Sequence, residues 1–175
     1  MLFADIRGST ALAEGMRAAE FSRLMNRFYK QSTEALIKTD AYIDKFVGDE
    51  VIGLYFPLFA GKNHAAAAVQ AAREMLRVAE ANHAAGLALP IGIGVHTGIA
   101  YVGTVSGTEG SVKDITALGD NVNITARLAS QAAGGEALVS EAAYAAAGLD
   151  LGNVEKRQLE LKGKSEPVGV RVFKS

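Results

Sequence analysis

Between Ala41 and Phe56 the chain carries two runs of β-formers that meet at Gly48-Asp49, and this hairpin sits between two long helical patterns. Tyr42, Ile43, Phe46 and Val47 supply the first run; Val51, Ile52, Leu54 and Tyr55 supply the second, and Pro57 ends it. Ahead of it, Ala19 to Lys38 reads as a helix, with Phe21, Leu24, Met25, Phe28, Tyr29, Leu36 and Ile37 largely on one face. Behind it, an Ala-rich helix is predicted from Asn63 to Ala85, its face marked by Val69, Met75 and Leu76. Met1 to Ile6 adds a short buried strand, followed by Gly8-Ser9-Thr10 and a helical pattern with Leu12, Ala13 and Met16. Such an irregular alternation of strands, hairpins and helices points to α+β: one sheet with helices packed on it.

The remainder fits that class. Leu89 to Val105 reads as strand, with Gly92, Gly94, Gly98 and Gly103 expected to permit bends or close backbone approach. Ser106 to Ser111 is predicted as loop, Ile115 to Leu118 as strand and Gly119 to Gln131 as helix. Ala137 to Val139 (strand), Glu141 to Ala147 (helix) and a last hairpin, Val154 to Leu161 with Val168 to Phe173, follow; Lys162-Gly163-Lys164-Ser165 is its turn. With no repeat and no linker, residues 1–175 read as one domain. An apolar strand at the first residue suggests a piece of a larger protein.

Composition narrows the chemistry. There is no Cys, which removes disulfides, thiolate zinc sites and a cysteine nucleophile. Three scattered His make a His-rich metal site improbable, so any bound metal is expected on carboxylate oxygens, which suits Mg²⁺ or Mn²⁺. Lys plus Arg (18) against Asp plus Glu (19) gives no bulk attraction to nucleic acid or an anionic membrane. No apolar stretch is long enough to span a bilayer and no signal peptide is visible, so a cytoplasmic domain is expected.

Two carboxylates stand out. Asp5 ends a buried strand and Asp49 sits in a hairpin turn; alone, each is an ordinary turn or strand-end residue. A hairpin lying beside the first strand brings both to one sheet end, able to share a divalent cation. Ile6-Arg7-Gly8-Ser9-Thr10 leads from strand to helix N-terminus, where free amides favour an anion, though Ser9 or Thr10 as a plain N-cap is the commoner case. Asn123 and Arg127, four apart, share a helix face and suit a ribose and a phosphate, or a plain surface pair. Lys162 and Lys164 are placed to close over phosphates or to be solvated. His96 reads as structural.

Four segments, in order, resemble the motifs of class III nucleotidyl cyclase catalytic domains. They are Phe3 to Thr10, Lys45 to Glu50, Thr116 to Leu128, and Leu161 to Lys164. The resemblance spans nearly the whole chain. It implies a ferredoxin-like, palm-type, mostly antiparallel sheet and an adenylate cyclase that converts ATP to 3′,5′-cyclic AMP and pyrophosphate. It assigns Asp5, Asp49 and the Ile6 carbonyl to two metal ions, Mg²⁺ or Mn²⁺. Lys45 and Thr116 would read the purine, Asn123 the ribose, and Arg127 the transition state. Phe3, Gly8, Ser9, Thr10 and one of Lys162 and Lys164 would line the substrate side. Family members act as dimers with each active site built across the interface, so a homodimer is expected here, along with an upstream regulatory domain.

Thr116 stands where many members carry Asp; a recognised subset carries Thr, and some of that subset respond to bicarbonate. Guanylate-specific members carry Glu and Cys where Lys45 and Thr116 stand, which favours ATP. The alternatives are a silent cyclase-like regulatory domain, a guanylate cyclase, and another palm-type enzyme such as a cyclic dinucleotide synthase. The first usually loses a metal Asp or the Arg, all present here. The last requires a Gly-Gly-Asp/Glu-Glu-Phe turn that this chain lacks.

Overall fold

A computed structural model describes residues 1–84, 89–106 and 113–175. The elements are β1 (Leu2–Ile6), α1 (Ser9–Gly15), α2 (Ala18–Lys38), β2 (Tyr42–Val47), β3 (Glu50–Leu54), α3 (Pro57–Ala60) and α4 (His64–Ala84). They continue with β4 (Ile91–Val95), β5 (Tyr101–Ser106), β6 (Lys113–Leu118), α5 (Asp120–Gln131), β7 (Glu136–Ser140), α6 (Glu141–Ala147), β8 (Glu155–Leu159) and β9 (Val168–Lys174). The fold is α+β. Seven strands form one sheet in the order β2-β3-β1-β4-β7-β9-β8, antiparallel except between β4 and β7. Its first four strands, with α2 and α4 as crossovers, interleave two βαβ units in the ferredoxin-like manner.

Strand alternation assigns the two faces. Leu2, Ala4 and Ile6 of β1 join Met25, Phe28 and Leu36 of α2 and Val69, Met75 and Leu76 of α4 in the main core. Phe3, one residue out of phase, packs on the opposite face with Ile52, Leu54, Ala117 and Ala129, beneath α5 and β6. Asp5 shares the parity of Phe3 and so projects on the α5 side. Among the described residues no helix is long and apolar enough to cross a membrane.

The structure departs from expectation at the glycine-rich stretch. Instead of one strand over 89–105, β4 ends at Val95 and β5 begins at Tyr101, paired with β6 in a separate two-stranded ribbon. The exit is held by side chains. Asn121 Nδ2 donates to the Ile99 carbonyl at 2.8 Å, and a Cβ at Gly98 would lie 2.3 Å from the Asn121 side chain. Gly92 and Gly94 stay in the sheet and admit α5: a Cβ at Gly94 would sit 2.3 Å from the Ala129 nitrogen and 2.4 Å from the Thr125 oxygen. The predicted loop over 106–111 lies outside the described residues except for Ser106, which ends β5. Pro57 both ends the hairpin and opens α3 at its first turn.

Candidate active site

β1 lies antiparallel to β3 with Asp5 opposite Glu50, and the Ile6 N–H donates to the Asp49 carbonyl at 3.3 Å. The hairpin turn therefore sits at the end of β1 and brings Asp49, in the turn, to Asp5, on the strand, as expected of a hairpin lying beside the first strand. The turn is pinned from outside. Gly48 adopts φ +60°, Tyr29 of α2 donates its hydroxyl to the Gly48 carbonyl, and the Tyr29 ring contacts Phe46 at 4.7 Å between centroids. Ser9 donates its hydroxyl to the Asp49 carboxylate. It does not cap its helix: the N-cap of α1 is Gly8 at φ +73°, without a side-chain cap. Thr10 is exposed. Phe3, expected on the substrate side, is 4% exposed and packs on the same face of β1 as Asp5, beneath α5 and β6.

Two neighbours of these carboxylates emerge only in three dimensions. Arg7 forms an ion pair with Asp5, and Glu50 faces the pair from β3. Partial burial, then the nearby Asp49, pushes the Asp5 carboxyl up, opposed by Arg7. Glu50 is pushed up to about 7, first by burial and then by Asp5 and Asp49. The folded chain thus holds this proton more tightly than the unfolded chain. Unfolding releases it between the ordinary carboxylate value of 4.5 and about 7, so stability of the metal-free protein falls as pH rises across that window and levels off above it. Denaturant midpoints measured against pH are expected to show this fall, and Glu50→Gln to flatten it; an unchanged slope in Glu50→Gln would assign the fall elsewhere.

The site's donor chemistry fits a hard divalent cation. Adjacent carboxylates with depressed affinity for each other's charge favour one, and Mg²⁺ typically takes one or two carboxylates, with water and substrate phosphates completing its shell. Among the described residues no group of three His, Cys, Asp or Glu is arranged to hold a metal ion.

The second group gathers around α5. Gly119 at φ +137° lets the chain turn into this helix, with Asp120 in the first turn where the dipole favours an acid. Lys164 pairs with Asp120 at 2.7 Å, and a Cβ at Gly163 would lie 3.6 Å from Arg127 Nη2. Leu161 anchors that turn against Ile124 and Leu128. Arg127 is half-buried, Asn123 and Lys162 exposed. Thr116, opposite Gly103 in the ribbon, is half-buried beside the buried Ala117. Lys45 follows a register irregularity in β2 and is also half-buried.

The helix stands between the groups. Val122, Ala126 and Ala129 face the cluster of β1 and β3, while Ile124, Leu128 and Ala132 face β7, β9 and Leu161. Within one chain, the carboxylate pair and the Arg127–Lys164 group therefore lie on different flanks of α5. His96 is structural: its buried ring meets Ser140 Oγ at 2.7 Å and Asn121 Oδ1 at 2.9 Å, tying β4 to β7 and α5.

Residues 1–172 match the family model described as the adenylate and guanylate cyclase catalytic domain. The chain belongs to this cyclase family. An adenylate cyclase of Anabaena cylindrica is 33% identical over 135 residues, covering 73% of this chain and 26% of that protein. Adenylate cyclase 1 of Rhizobium meliloti (strain 1021) is 32% identical over 132 residues, 73% of this chain and 20% of that protein. The chain thus spans about a quarter or less of these relatives. Among solved structures, the adenylyl cyclase CyaB from P. aeruginosa superposes with a TM-score of 0.87 at 32% identity, over 99% of this chain and 92% of that one. The guanylyl cyclase Cya2 gives 0.85 at 29% identity, over 98% and 88%. The sheet and its packed helices are those of the cyclase domain.

Proposed function

We propose that this domain cyclises ATP to 3′,5′-cyclic AMP and pyrophosphate, as a homodimer with two shared sites. The observation that carries the reading is the convergence of Asp5 and Asp49 at one sheet end, in a chain of the cyclase family. In the reaction the ribose O3′ gives up its proton to solvent water and bonds to the α-phosphorus while the bond from that phosphorus to pyrophosphate breaks. Two Mg²⁺ or Mn²⁺ ions, held by the Asp5 and Asp49 carboxylates and the Ile6 carbonyl, would supply Lewis-acid chemistry at the hydroxyl and the phosphates. Asn123 orients the ribose. Arg127 offers a planar fork of donors to the charge that grows on the phosphates. Of the two turn lysines, Lys164 is the one turned toward α5, paired with Asp120 there, and is assigned to join it. Ser9, by binding Asp49, fixes that carboxylate.

Adenine is selected by hydrogen-bond pattern. Lys45 donates to ring N1 and Thr116 accepts from the exocyclic amine. Guanine presents a donor and a carbonyl there, and each group left unpaired costs about 1–3 kcal/mol. Two mismatches at the low end give a preference of about 30-fold for ATP over GTP. The greater length of the relatives supports a module governed by further segments, and ATP as substrate supports a cytoplasmic setting.

One incubation with Mn²⁺ and either ATP or GTP, products resolved by chromatography, tests the reading. Cyclic AMP from ATP is expected, with the preference relaxed in Lys45→Glu/Thr116→Cys. Equal cyclisation of GTP would remove Lys45 and Thr116 as selectors and favour a guanylate cyclase. No product from either would favour a silent domain, and a cyclic dinucleotide another palm-type enzyme.

A further inference from the structure

The Arg7 side chain runs past Gly92 and Gly134 to the end of α5. A Cβ at Gly92 would lie 3.1 Å from Arg7 Nε, and one at Gly134 would lie 3.8 Å from its Cγ. Nε and Nη2 are shut off from solvent and complete no hydrogen bond among the described residues, so the contact of Nη2 with Asp5 is an ion pair. From this position the guanidinium reaches two partners at once. Nη2 pairs with Asp5 Oδ2, and Nη1 donates to the Ser130 carbonyl, in the last turn of α5, at 2.7 Å. A cation there is favoured by the helix dipole. The planar fork links the end of β1 to the same helix that carries Asn123 and Arg127.

We infer that Arg7 is a positioning residue: by tying Asp5 Oδ2 to the C-terminal turn of α5 it fixes the orientation of the Asp5 carboxylate and leaves Oδ1 to a divalent cation. The inference rests on the reading of Asp5 as a cation ligand. A short carboxylate at a strand end has several rotamers, and an ion pair on one oxygen restricts which of them it adopts. Groups that orient metal ligands typically control metal affinity or activity by about 10–100-fold. A mere counter-charge has the opposite sign. Removing a positive group next to a carboxylate would strengthen the binding of another cation.

The test is Mn²⁺ binding by the whole chain, read from the electron paramagnetic resonance of the free ion, at a pH well above the carboxylate range. Arg7→Met is expected to weaken Mn²⁺ binding by about 10–100-fold. Arg7→Lys keeps the charge but has one nitrogen for two acceptors, and is expected to recover only part of the affinity. Binding by Arg7→Met as tight as, or tighter than, that of the unmodified chain would overturn the inference. Should Arg7→Met not fold, Arg7→Lys decides it: full wild-type affinity overturns the positioning role. Asp49→Asn separates the two levels of the argument. If the unmodified chain takes up no Mn²⁺ that Asp49→Asn removes, the metal reading itself falls, and this inference with it.

Discussion

Asp49→Asn is expected to lose at least about a thousandfold in kcat while its thermal midpoint stays level or rises. Lewis-acid stabilisation at the phosphates is worth several kcal/mol, and each 1.36 kcal/mol is tenfold in rate. The fold should not suffer, because Asn is at home in a tight turn and the backbone contact from Ile6 N–H to the residue 49 carbonyl is kept. Stability gains from the lost charge, since Asp49 is one of the groups that push Asp5 and Glu50 up. Asp5→Asn should be equally inactive, with less relief, because it leaves Arg7 without its ion-pair partner. Circular dichroism with a chromatographic assay for cyclic AMP checks both. Appreciable product from either variant in Mg²⁺ or Mn²⁺ would remove these two residues from the metal site.

What could be read from the residues alone, and what could not, divides along sequence distance. The hairpin over Ala41 to Phe56 and the helices on either side are local patterns of period and turn chemistry, and the structure keeps them within a few residues. The meeting of Asp5 and Asp49 needed one more step, the pairing of the hairpin with β1, and the apolar runs allowed it. Glu50 and Arg7 needed register. Glu50 joins Asp5 only because β1 and β3 pair at that offset, and a slip of one residue would turn it to the other face. Arg7, two residues after Asp5, carried a readable signal in its shared parity. Its second partner, Ser130, lies 123 residues away and no local pattern announces it. The break between β4 and β5 was hidden for a similar reason. β-propensity runs on from Leu89 to Val105, and the chain leaves the sheet where Asn121 and Ser140, distant in sequence, hold His96 and Ile99. Phe3 stands within a motif of the site and on the same face of β1 as Asp5, and it is the packing of Ile52, Leu54, Ala117 and Ala129 around it that buries it.

Mixing two inactive variants is the measurement with the sharpest consequence for the dimer. In the proposed mechanism Asp49→Asn removes a cation ligand and Arg127→Ala removes the fork that would meet the transition state, so each alone should be nearly dead. In one chain, Asp49 lies at the β1 end on one flank of α5, and Arg127 lies against the Gly163 turn on the other. A two-fold axis that brings the carboxylates of one subunit to the Arg127 group of its partner yields two equivalent sites, each needing both subunits. Lys45 and Asp49 then serve opposite sites although they share a hairpin, which requires its two ends to face different clefts. In a mixed dimer one site carries both defects and the other carries neither. With equal amounts and free exchange, half of the dimers are mixed, so about a quarter of all sites should be intact. Recovery of roughly a quarter of wild-type activity is the expected result, rising from near zero as subunits exchange. A self-contained monomer predicts no recovery at any ratio. If sedimentation shows that the subunits exchange and activity still stays at the level of the separate variants, each chain must hold a complete site, and Arg127 must reach the Asp49 side of its own α5.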